Sequence, residues 1–352
     1  MAARRKIVEE IEERVKRPKS NENKKLLSTG CTILDLVTGK YPYGIINIVG
    51  DTSTGKTYLT LETLAYLIQK NNKKIKWFWD KAEGRFSWDT QSRYGYEILT
   101  EEMENRKSKT VEDMAFNLQH ELKSLKKDTV LVYVVDSLDG LSSDEEIIRD
   151  EKKYQAKSKG KKLEKGTYGM GKARDMSRFF RLRTKDIEDK KCLLIIISQV
   201  RENIGVSFGR KYRRNGGKGL DHYANSIVWL AVAERHKKKG REIGATIKIK
   251  PDKTSNGTPG REGFIELIYD YGVDNVGTNI NFLYDLKTDT GKNISDMHKK
   301  LLDWDGKELT RKKLIRYIEK NDLEDELERR VVSKWNEIED SISSKERKPK
   351  WQ

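Results

Sequence analysis

Eight residues near the start of the chain carry the clearest chemical pattern, since residues 50–57 read GDTSTGKT. The spacing G-x-x-x-x-G-K-[ST], after an apolar run and before an amphipathic one, is typical of a loop that cradles phosphates. Backbone N–H groups would curl round a β-phosphate at the positive end of a helix dipole. Lys56 would reach the β- and γ-phosphates, and Thr57 would bind Mg²⁺. The predicted nucleotide-contacting residues are Gly50, Asp51, Thr52, Ser53, Thr54, Gly55, Lys56, Thr57 and Tyr58.

An aspartate at the end of a second apolar run is the predicted partner of this loop. Asp136 closes the run VLVYVVD, and a carboxylate that is buried without a counter-charge is costly. Beside Mg²⁺ that cost disappears, so we expect Asp136 to serve the metal together with Thr57. A simple cap at the end of a strand is the alternative interpretation.

Two further carboxylates could orient the water that attacks a γ-phosphate. Asp80 ends the run KIKWFWD and Glu83 lies three residues later, at the strand edge where ligands of α/β sheets bind. Hydrolysis needs such a group in line with the phosphate. We choose Glu83 as the catalytic carboxylate, and a solvated loop carboxylate stays open as the alternative.

A basic, glycine-rich segment follows the apolar run CLLIIIS. Residues 198–219 contain six Lys or Arg, one Glu and five Gly, a composition too polar and flexible to pack as a core. Its cations would attract the phosphates of a nucleic acid, and its apolar residues Ile204, Val206 and Phe208 would stack on bases or wedge between them. A disordered surface insertion would explain the charge but not these apolar side chains.

A second basic stretch lies earlier in the chain, over residues 149–165. It holds eight Lys or Arg against three acidic residues. We expect it to be a second nucleic-acid element, with Tyr154, Tyr168 and Met170 as candidates for base contact. A solvated tract without a function is the alternative.

The elements that must hold these residues alternate between strand and helix. Apolar strands are predicted at GIINIVG, KIKWFWD, TVLVYVVDS and CLLIIIS, with helices after the phosphate loop, near 110–126 and near 172–190. This alternation predicts an α/β fold with a mostly parallel sheet covered on both faces. The runs SIVWLAVAE, ATIKIK and FIELIYDYG alternate more strictly, and they predict antiparallel strands that extend the sheet.

Three regions are predicted along the 352 residues. Residues 1–28 would form a helix over 1–17 and a linker that dock on another subunit or on this core. Residues 29–280 would form the core, with DNA-binding loops near 144–170 and 201–218. Residues 281–352 would form a small α-rich domain with a basic tail, and its helices would include ISDMHKKLLDW, TRKKLIRYIEKN and EDELERRVVSKWNEIEDSI.

Composition limits the classes of function. The formal net charge of +16 indicates a polyanionic partner, nucleic acid before membrane. We expect no membrane partner and a cytoplasmic protein, because no apolar run approaches the roughly 18 residues of a membrane span and the first residues lack a signal-peptide core. The two cysteines, Cys31 and Cys192, have neither metal-ligand spacing nor a disulfide pattern.

Together these motifs resemble the RecA family of DNA recombinases, including its phage relatives, from about Leu26 to the helical C-terminal region. GDTSTGKT and VVDS are shared with many ATPases. ISQVRENIGVSFGRKYRRNGGKGLDHYA is more specific, because it resembles the family's strand, sensor glutamine and second DNA-binding loop together. GTYGMGKARDMSRFFR resembles the end of the first DNA-binding loop and the helix beyond it. WDGKELTRKKLIRYIEKN resembles part of the C-terminal domain.

The resemblance implies a RecA-like P-loop ATPase core, with ATP and Mg²⁺ as cofactors and roles for matching residues. Gln199 would sense the γ-phosphate, and Glu83 would activate water. Lys250 and Lys253 would reach the ATP of a neighbouring subunit. The residues implied in DNA binding are Tyr168, Gly169, Met170, Lys172, Arg174, Arg201, Asn203, Ile204, Gly205, Val206, Ser207, Phe208, Gly209, Arg210, Lys211, Arg213, Arg214, Gly216 and Gly217.

The activity implied by the resemblance is that of a DNA-dependent ATPase and homologous recombinase. It would form a helical filament on single-stranded DNA, with ATP between subunits, and exchange strands with double-stranded DNA in a bacterial or phage-infected cell. Three alternatives stay open: a DNA-stimulated motor such as a ring helicase, a regulatory DNA-binding module that uses ATP as an assembly switch, and a small-molecule kinase. The basic segments disfavour the kinase.

Overall fold

The computed structural model describes residues 26–70, 74–83, 89–95, 97–159, 170–202, 212–214, 217–286 and 300–343. The helix predicted over residues 1–17, the linker up to residue 25 and the tail beyond residue 343 lie outside these ranges. Within the described residues, no helix combines the length and the apolar character needed to cross a membrane.

A single large sheet organises the core. Its strands are β1 (Gly44–Gly50), β2 (Lys74–Asp80), β3 (Thr129–Val135), β4 (Cys192–Glu202), β5 (Tyr212–Arg214), β6 (Ser226–Lys238), β7 (Arg241–Thr254), β8 (Gly263–Ile268) and β9 (Gly272–Asp274). They are ordered β2-β3-β4-β1-β6-β7-β8-β9, and β5 pairs with β4 outside this path. Strands β2, β3, β4, β1 and β6 are parallel, and β7, β8 and β9 extend them in antiparallel fashion. Strand β5 is antiparallel to β4. The predicted α/β fold is confirmed.

Helices cover the parallel strands. They are α1 (Thr32–Thr38), α2 (Lys56–Lys70), α3 (Thr90–Tyr94), α4 (Glu101–Asn105), α5 (Val111–Lys123), α6 (Asp144–Ser158), α7 (Met170–Asp189), α8 (Gly217–Tyr223), α9 (Asn275–Leu283), α10 (Arg311–Lys320) and α11 (Glu324–Ser341). Every residue of β1 and β3 is buried, as expected for parallel strands covered on both faces. This rigid layer fixes the strand ends where the candidate site lies.

The prediction of a loop over 144–170 is wrong for its first half, because residues 144–158 form α6. Ser143 caps this helix by accepting a hydrogen bond from the Glu146 amide, while Glu146 accepts one from the Ser143 amide. This reciprocal capping box starts a helix without any buried face, and α6 buries none of its residues. Tyr154 on this helix is 77% exposed.

The C-terminal region is less purely helical than predicted. The residues LLDW, predicted as the end of a helix, form strand β10 (Leu301–Trp304), which pairs with β11 (Lys307–Thr310). The two predicted helices that follow are present as α10 and α11. The Lys334 ammonium of α11 donates to the Phe282 and Leu283 carbonyls of α9 at 3.1 and 2.9 Å. The predicted domain boundary at residue 281 falls inside α9, which runs without a break from Asn275 to Leu283.

Candidate functional site

The phosphate-loop residues lie between β1 and α2, as the sequence pattern requires. Gly50 ends β1 and lies in register between Gln199 of β4 and Leu230 of β6. A Cβ at Gly50 would stand 2.4 Å from Thr54 Oγ1 and 2.9 Å from the Leu230 carbonyl oxygen, so a side chain does not fit there. Gly55 has a φ of +81°, a conformation that glycine adopts without strain. Local sterics therefore account for both glycines of the motif.

Lys56 begins α2 and folds back over the loop. Its ammonium donates to the Gly50 carbonyl at 3.0 Å and to the Asp51 carbonyl at 2.7 Å. Burial lowers the pKa of Lys56, and the nearby Asp136 and Glu83 carboxylates oppose this effect. An anionic ligand in the loop would favour the charged ammonium for the same reason.

Thr57 and Asp136 meet across the ends of α2 and β3. The Thr57 hydroxyl donates to Asp136 Oδ2 at 3.2 Å. Burial raises the pKa of Asp136 to about 6, the Thr57 hydrogen bond and Lys56 oppose this rise, and Glu83 adds to it. A buried carboxylate beside a hydroxyl is an oxygen donor set of the kind that Mg²⁺ prefers, so these two residues fit the metal that the motif implies.

The structure gives the two candidate carboxylates, Asp80 and Glu83, different surroundings. Asp80 is fully buried, and it accepts hydrogen bonds from the Ser108 amide at 2.8 Å, the Ser108 hydroxyl at 2.5 Å and the Tyr133 hydroxyl at 2.8 Å. With these partners Asp80 ties β2 to β3 and to the segment before α5. Glu83 is half-buried and lies near Asp136, since its amide donates to the Asp136 carbonyl at 3.2 Å.

Glu83 is held by two donors from neighbouring strands. Gln199 Nε2 donates to Glu83 Oε1 at 2.7 Å, and the Ser137 hydroxyl donates to the same oxygen. The backbone amide of Gln199 in turn donates to Asp139 Oδ2 at 2.7 Å. The predicted sensor and the predicted catalytic carboxylate are thus in direct contact beside the phosphate loop.

Tyr58, predicted to contact the nucleotide, lies one residue beyond the motif on α2. Its hydroxyl donates to the Tyr269 carbonyl at 2.8 Å, and the Arg93 guanidinium lies 5.4 Å from the centre of its ring. Arg93 also donates to the Tyr269 carbonyl at 3.3 Å. The Tyr58 side chain therefore joins α2 to α3 and to the turn between β8 and β9.

Three residues predicted to bind DNA, Lys172, Arg174 and Arg214, make contacts within the chain, and their role in DNA binding stays a prediction. The Arg174 guanidinium donates to Glu145 Oε2 at 2.7 Å. The Lys172 ammonium donates to the Leu138 carbonyl at 2.7 Å and the Leu141 carbonyl at 2.6 Å. The Arg214 side chain is only 7% exposed and pairs with Asp221. The carbonyls that Lys172 contacts lie 34 and 31 positions earlier in the chain. Asp221 lies seven positions after Arg214, on α8.

The predicted loop over 201–218 is also shorter than expected. Strand β4 continues to Glu202, β5 pairs with it in antiparallel fashion, and α8 begins at Gly217. Arg201, Arg213 and Gly217 lie on these elements, as Met170 lies on α7, and the structure describes their backbone only. The remaining predicted DNA-binding residues lie outside the described ranges: Tyr168, Gly169, Asn203, Ile204, Gly205, Val206, Ser207, Phe208, Gly209, Arg210, Lys211 and Gly216.

A basic groove runs along α7. Of its residues, only Arg174 is predicted from the sequence to bind DNA. Its volume is about 570 Å³. Arg174, Arg178 and Arg181 lie four and three residues apart, a spacing that places them on one face of a helix. Close packing of α8 bounds this region, because a Cβ at Gly219 would stand 2.7 Å from Ser177 Oγ. The groove is lined by Arg174, Asp175, Ser177, Arg178, Arg181 and Tyr223.

The two lysines predicted to act on a neighbouring subunit have different surroundings. Lys250 is exposed on β7. The Lys253 ammonium donates to the Asp221 and His222 carbonyls near the end of α8, at 3.1 and 2.7 Å. Burial lowers the pKa of Lys253, and Asp221 opposes this shift.

Residues 13–274 match the family model described as the RecA N-terminal domain. Protein RecA of Synechococcus sp. (strain CC9902) is 28% identical over 268 residues, which cover 75% of this chain and 64% of that protein. Protein RecA of Trichodesmium erythraeum (strain IMS101) is 31% identical over 258 residues, which cover 72% and 66%. The chain thus spans 64% of the length of the first of these relatives. A crystal structure of the RadB recombinase is 18% identical with a TM-score of 0.46, and the match covers 70% of this chain and 98% of that one.

Proposed function

Because this chain belongs to the RecA family, we propose that it is an ATP-dependent homologous recombinase. It hydrolyses ATP in a DNA-dependent manner, forms helical filaments on single-stranded DNA and exchanges strands with double-stranded DNA. The observation that carries this proposal is the contact between Gln199 and Glu83 at 2.7 Å, with Gln199 in register beside Gly50. A polar side chain that touches Glu83, on a strand residue in register with the first glycine of the phosphate loop, would be placed to report the state of the nucleotide.

The residues of this chain divide the work of hydrolysis. Lys56 and the loop amides bind the phosphates, while Thr57 and Asp136 would hold Mg²⁺. When bound, the metal would neutralise charge that develops between the β- and γ-phosphates. Glu83 orients the attacking water and accepts its proton at Oε1 or Oε2. Ser137 keeps this carboxylate in place during the exchange of partners.

Gln199 would change partner during this cycle. In the structure, its side-chain amide nitrogen donates to Glu83. With ATP bound, the same amide would donate to the γ-phosphate and release Glu83 toward water. Because Gln199 lies three residues before the end of β4, this change would alter how the chain enters the basic segment beyond that strand. Nucleotide and DNA affinities would then depend on each other reciprocally.

DNA would be held by cations on α7 and in the segment after β4. Arg174, Arg178 and Arg181 line the groove on α7, where they would contact phosphates in a salt-dependent manner. Ser177 could donate to a phosphate, and Tyr223 offers an aromatic face for stacking. Base pairing between strands would provide sequence specificity, so the protein would read only backbone and shape.

Self-association would complete the nucleotide site. Lys250 is exposed and could reach the ATP of an adjacent subunit. Lys253 would have to leave the α8 carbonyls to do so. Residues 1–28 would dock on the adjacent core, residues 29–280 would form the ATPase core, and residues 281–352 would form a small C-terminal domain.

Electron microscopy of the full chain with single-stranded DNA and a non-hydrolysable ATP analogue tests the assembly. A helical filament is expected with the wild type and not with Lys56→Ala. A closed ring would instead support a motor, and DNA binding without assembly would support a regulator. A strand-exchange assay with homologous and heterologous duplexes then tests the reaction itself, and product from the homologous duplex alone is expected.

A further inference from the structure

Residues 137–141, which we call the β3 turn, connect three parts of the molecule. They follow Asp136 directly, and Leu138–Gly140 form one turn of 3₁₀ helix. The Gln199 backbone amide of β4 and the Lys172 side chain of α7 both donate hydrogen bonds to this turn, and the turn itself contacts the loop after β2. All of these residues are described by the structure, and only Ser137 has a role in the hydrolysis derived above.

On its catalytic side, the β3 turn packs closely against the Glu83 segment. The Ser137 hydroxyl donates to Glu83 Oε1. A Cβ added to Gly140 would stand 2.9 Å from the Ala82 carbonyl oxygen and 3.2 Å from Glu83 Cγ. Because this contact leaves no free space, a displacement of the β3 turn would displace the Glu83 side chain.

On its second side, the β3 turn is tied to the end of β4. Asp139 Oδ2 accepts a hydrogen bond from the backbone amide of Gln199 at 2.7 Å. Hydrogen bonds with an ionised partner are shorter and stronger than neutral ones. The same Gln199 donates from its side chain to Glu83, so Asp139 fixes the backbone from which the sensor side chain reaches its target.

On its third side, the β3 turn is tied to α7. The Lys172 ammonium donates to the Leu138 and Leu141 carbonyls at 2.7 and 2.6 Å, and these carbonyls lie at either end of the 3₁₀ turn. Lys172 lies two residues before Arg174, the first cation of the basic groove. A force on the start of α7 would therefore reach the β3 turn through a charged, two-point contact.

We propose that Asp139 and Lys172 are positioning residues that transmit DNA occupancy of the α7 groove to Glu83 through the β3 turn. The route is contiguous: α7, Lys172, the β3 turn, Asp139, Gln199 and Glu83. It supplies a second connection between DNA and hydrolysis, separate from the contact of Gln199 with a γ-phosphate. This inference rests on the proposed function, because it presumes that DNA stimulates ATP turnover.

The test is the ratio of ATP turnover with single-stranded DNA to turnover without it, measured on the full chain. Lys172→Met and Asp139→Ala should each lower this ratio about tenfold, a coupling of the usual size between linked sites. Lys172→Arg keeps donors for both carbonyls and should restore most of the ratio. Because the two residues act in series, the double variant should be no worse than the worse single variant.

Lys190, which directly follows α7, provides a matched control. The Lys190 ammonium also donates to a backbone carbonyl, that of Leu122 at 3.1 Å, but it does not contact the β3 turn. Lys190→Met should leave the stimulation ratio within about twofold of wild type. Thermal melting of every variant separates loss of folding from loss of coupling, and the Lys172→Arg rescue keeps the test decisive if Lys172→Met folds poorly.

Each remaining outcome contradicts a different statement. If wild type shows no DNA stimulation, the proposed function fails and this inference fails with it. If wild type is stimulated and both variants keep its ratio, the inference alone is wrong. If Lys172→Met lowers the slope of log affinity against log salt by about one, Lys172 binds a DNA phosphate directly and is not a positioning residue.

Discussion

The side-chain amide of Gln199 donates a 2.7 Å hydrogen bond to Glu83 Oε1. Glu83 follows β2 and Gln199 lies on β4, 116 positions later in the chain. Only β3 separates these two strands in the sheet. The contact occupies one of the two carboxylate oxygens that could accept a proton from water. Gln199 therefore restrains the carboxylate that we propose to be catalytic, in addition to its proposed role as the sensor.

Replacing Gln199 by Ala should uncouple DNA affinity from the nucleotide. ATP binding should stay within about threefold of wild type, since Lys56 and the loop amides are untouched, whereas the gain in DNA affinity on adding an ATP analogue should fall at least tenfold. Fluorescence anisotropy of labelled single-stranded DNA, with and without the analogue, measures this gain. Gln69→Ala, at an exposed position on α2, is the control. Preserved coupling in Gln199→Ala would refute the sensor role.

Substitution of Glu83 should lower ATP turnover and spare stability, whereas substitution of Asp80 should lower stability. Glu83→Gln should lower ATP turnover at least 100-fold, because an amide is a poor proton acceptor, while the melting temperature stays close to wild type. Asp80→Asn should reduce the free energy of unfolding by about 2 kcal/mol, since it perturbs hydrogen bonds from Ser108 and Tyr133 in a buried site. Turnover assays and thermal melting on both variants measure the two effects. A stable, inactive Asp80→Asn with an active Glu83→Gln would reverse the assignment.

Asp136 is expected to destabilise the nucleotide-free protein. Burial raises its pKa to about 6, so at pH 8 the folded protein holds a charged carboxylate in an unfavourable environment. Asp136→Asn should raise the free energy of unfolding by about 2 kcal/mol at pH 8. The same change should abolish the extra stability that ATP and Mg²⁺ give the wild type. Thermal melting with and without ATP and Mg²⁺ measures both, and a variant that melts lower without ligand contradicts the first part.

The sequence predicts best the features that depend on residues close together in the chain. The buried strands were predicted because apolar runs such as CLLIIIS suit a strand covered on both faces, and the phosphate loop follows from eight consecutive residues. Helix α6 was missed because it buries none of its residues, so apolar periodicity gives no signal. Its capping box, from Ser143 to Glu146, is the local feature that could have identified it.

Long-range partners explain the other differences. The resemblance to the RecA family implies a DNA contact for Lys172, but the carbonyls that accept hydrogen bonds from its ammonium lie 34 and 31 positions earlier. Asp80 and Glu83 differ mainly in their surroundings, which depend on Tyr133 in a neighbouring strand. Charge and spacing alone cannot distinguish a cation held by backbone carbonyls from one that is free to bind a phosphate. Such assignments require the fold.

The ion pair between His236 of β6 and Glu266 of β8 should make stability depend on pH. The two side chains are 3.0 Å apart and mostly buried. The hydrogen bond to Glu266 raises the pKa of His236, burial and Arg311 oppose this rise, and Glu234 adds to it. Burial raises the pKa of Glu266, but His236, Arg311 and Thr246 outweigh it and leave that pKa lowered. The stabilisation is therefore fully present between about pH 4.5 and 6.5.

This stabilisation is lost as the pH rises through the raised pKa of His236, and also as it falls through the lowered pKa of Glu266. His236→Gln should melt about 2 °C below wild type at pH 6, and the difference should shrink by pH 9. His120→Gln, at an exposed position on α5, should show no such pH-dependent difference. A gap that widens toward pH 9 would contradict the assigned charge state.

The cations of the α7 groove should determine the salt dependence of DNA binding. Arg178 and Arg181 are exposed and line the same groove as Arg174. If each contacts one phosphate, replacing either by Ala should lower the slope of log affinity against log salt by about one, and replacing both should lower it by about two. The affinity loss should be similar for DNA of any sequence, because phosphates carry no sequence information. DNA-binding titrations over several salt concentrations measure the slope.

Arg329→Ala, at a 75% exposed side chain on α11, is the matched control and should leave this slope unchanged. Equal slopes for wild type and the double variant would place the bound strand elsewhere, in the segment after β4, and would also remove the DNA end of the route through the β3 turn.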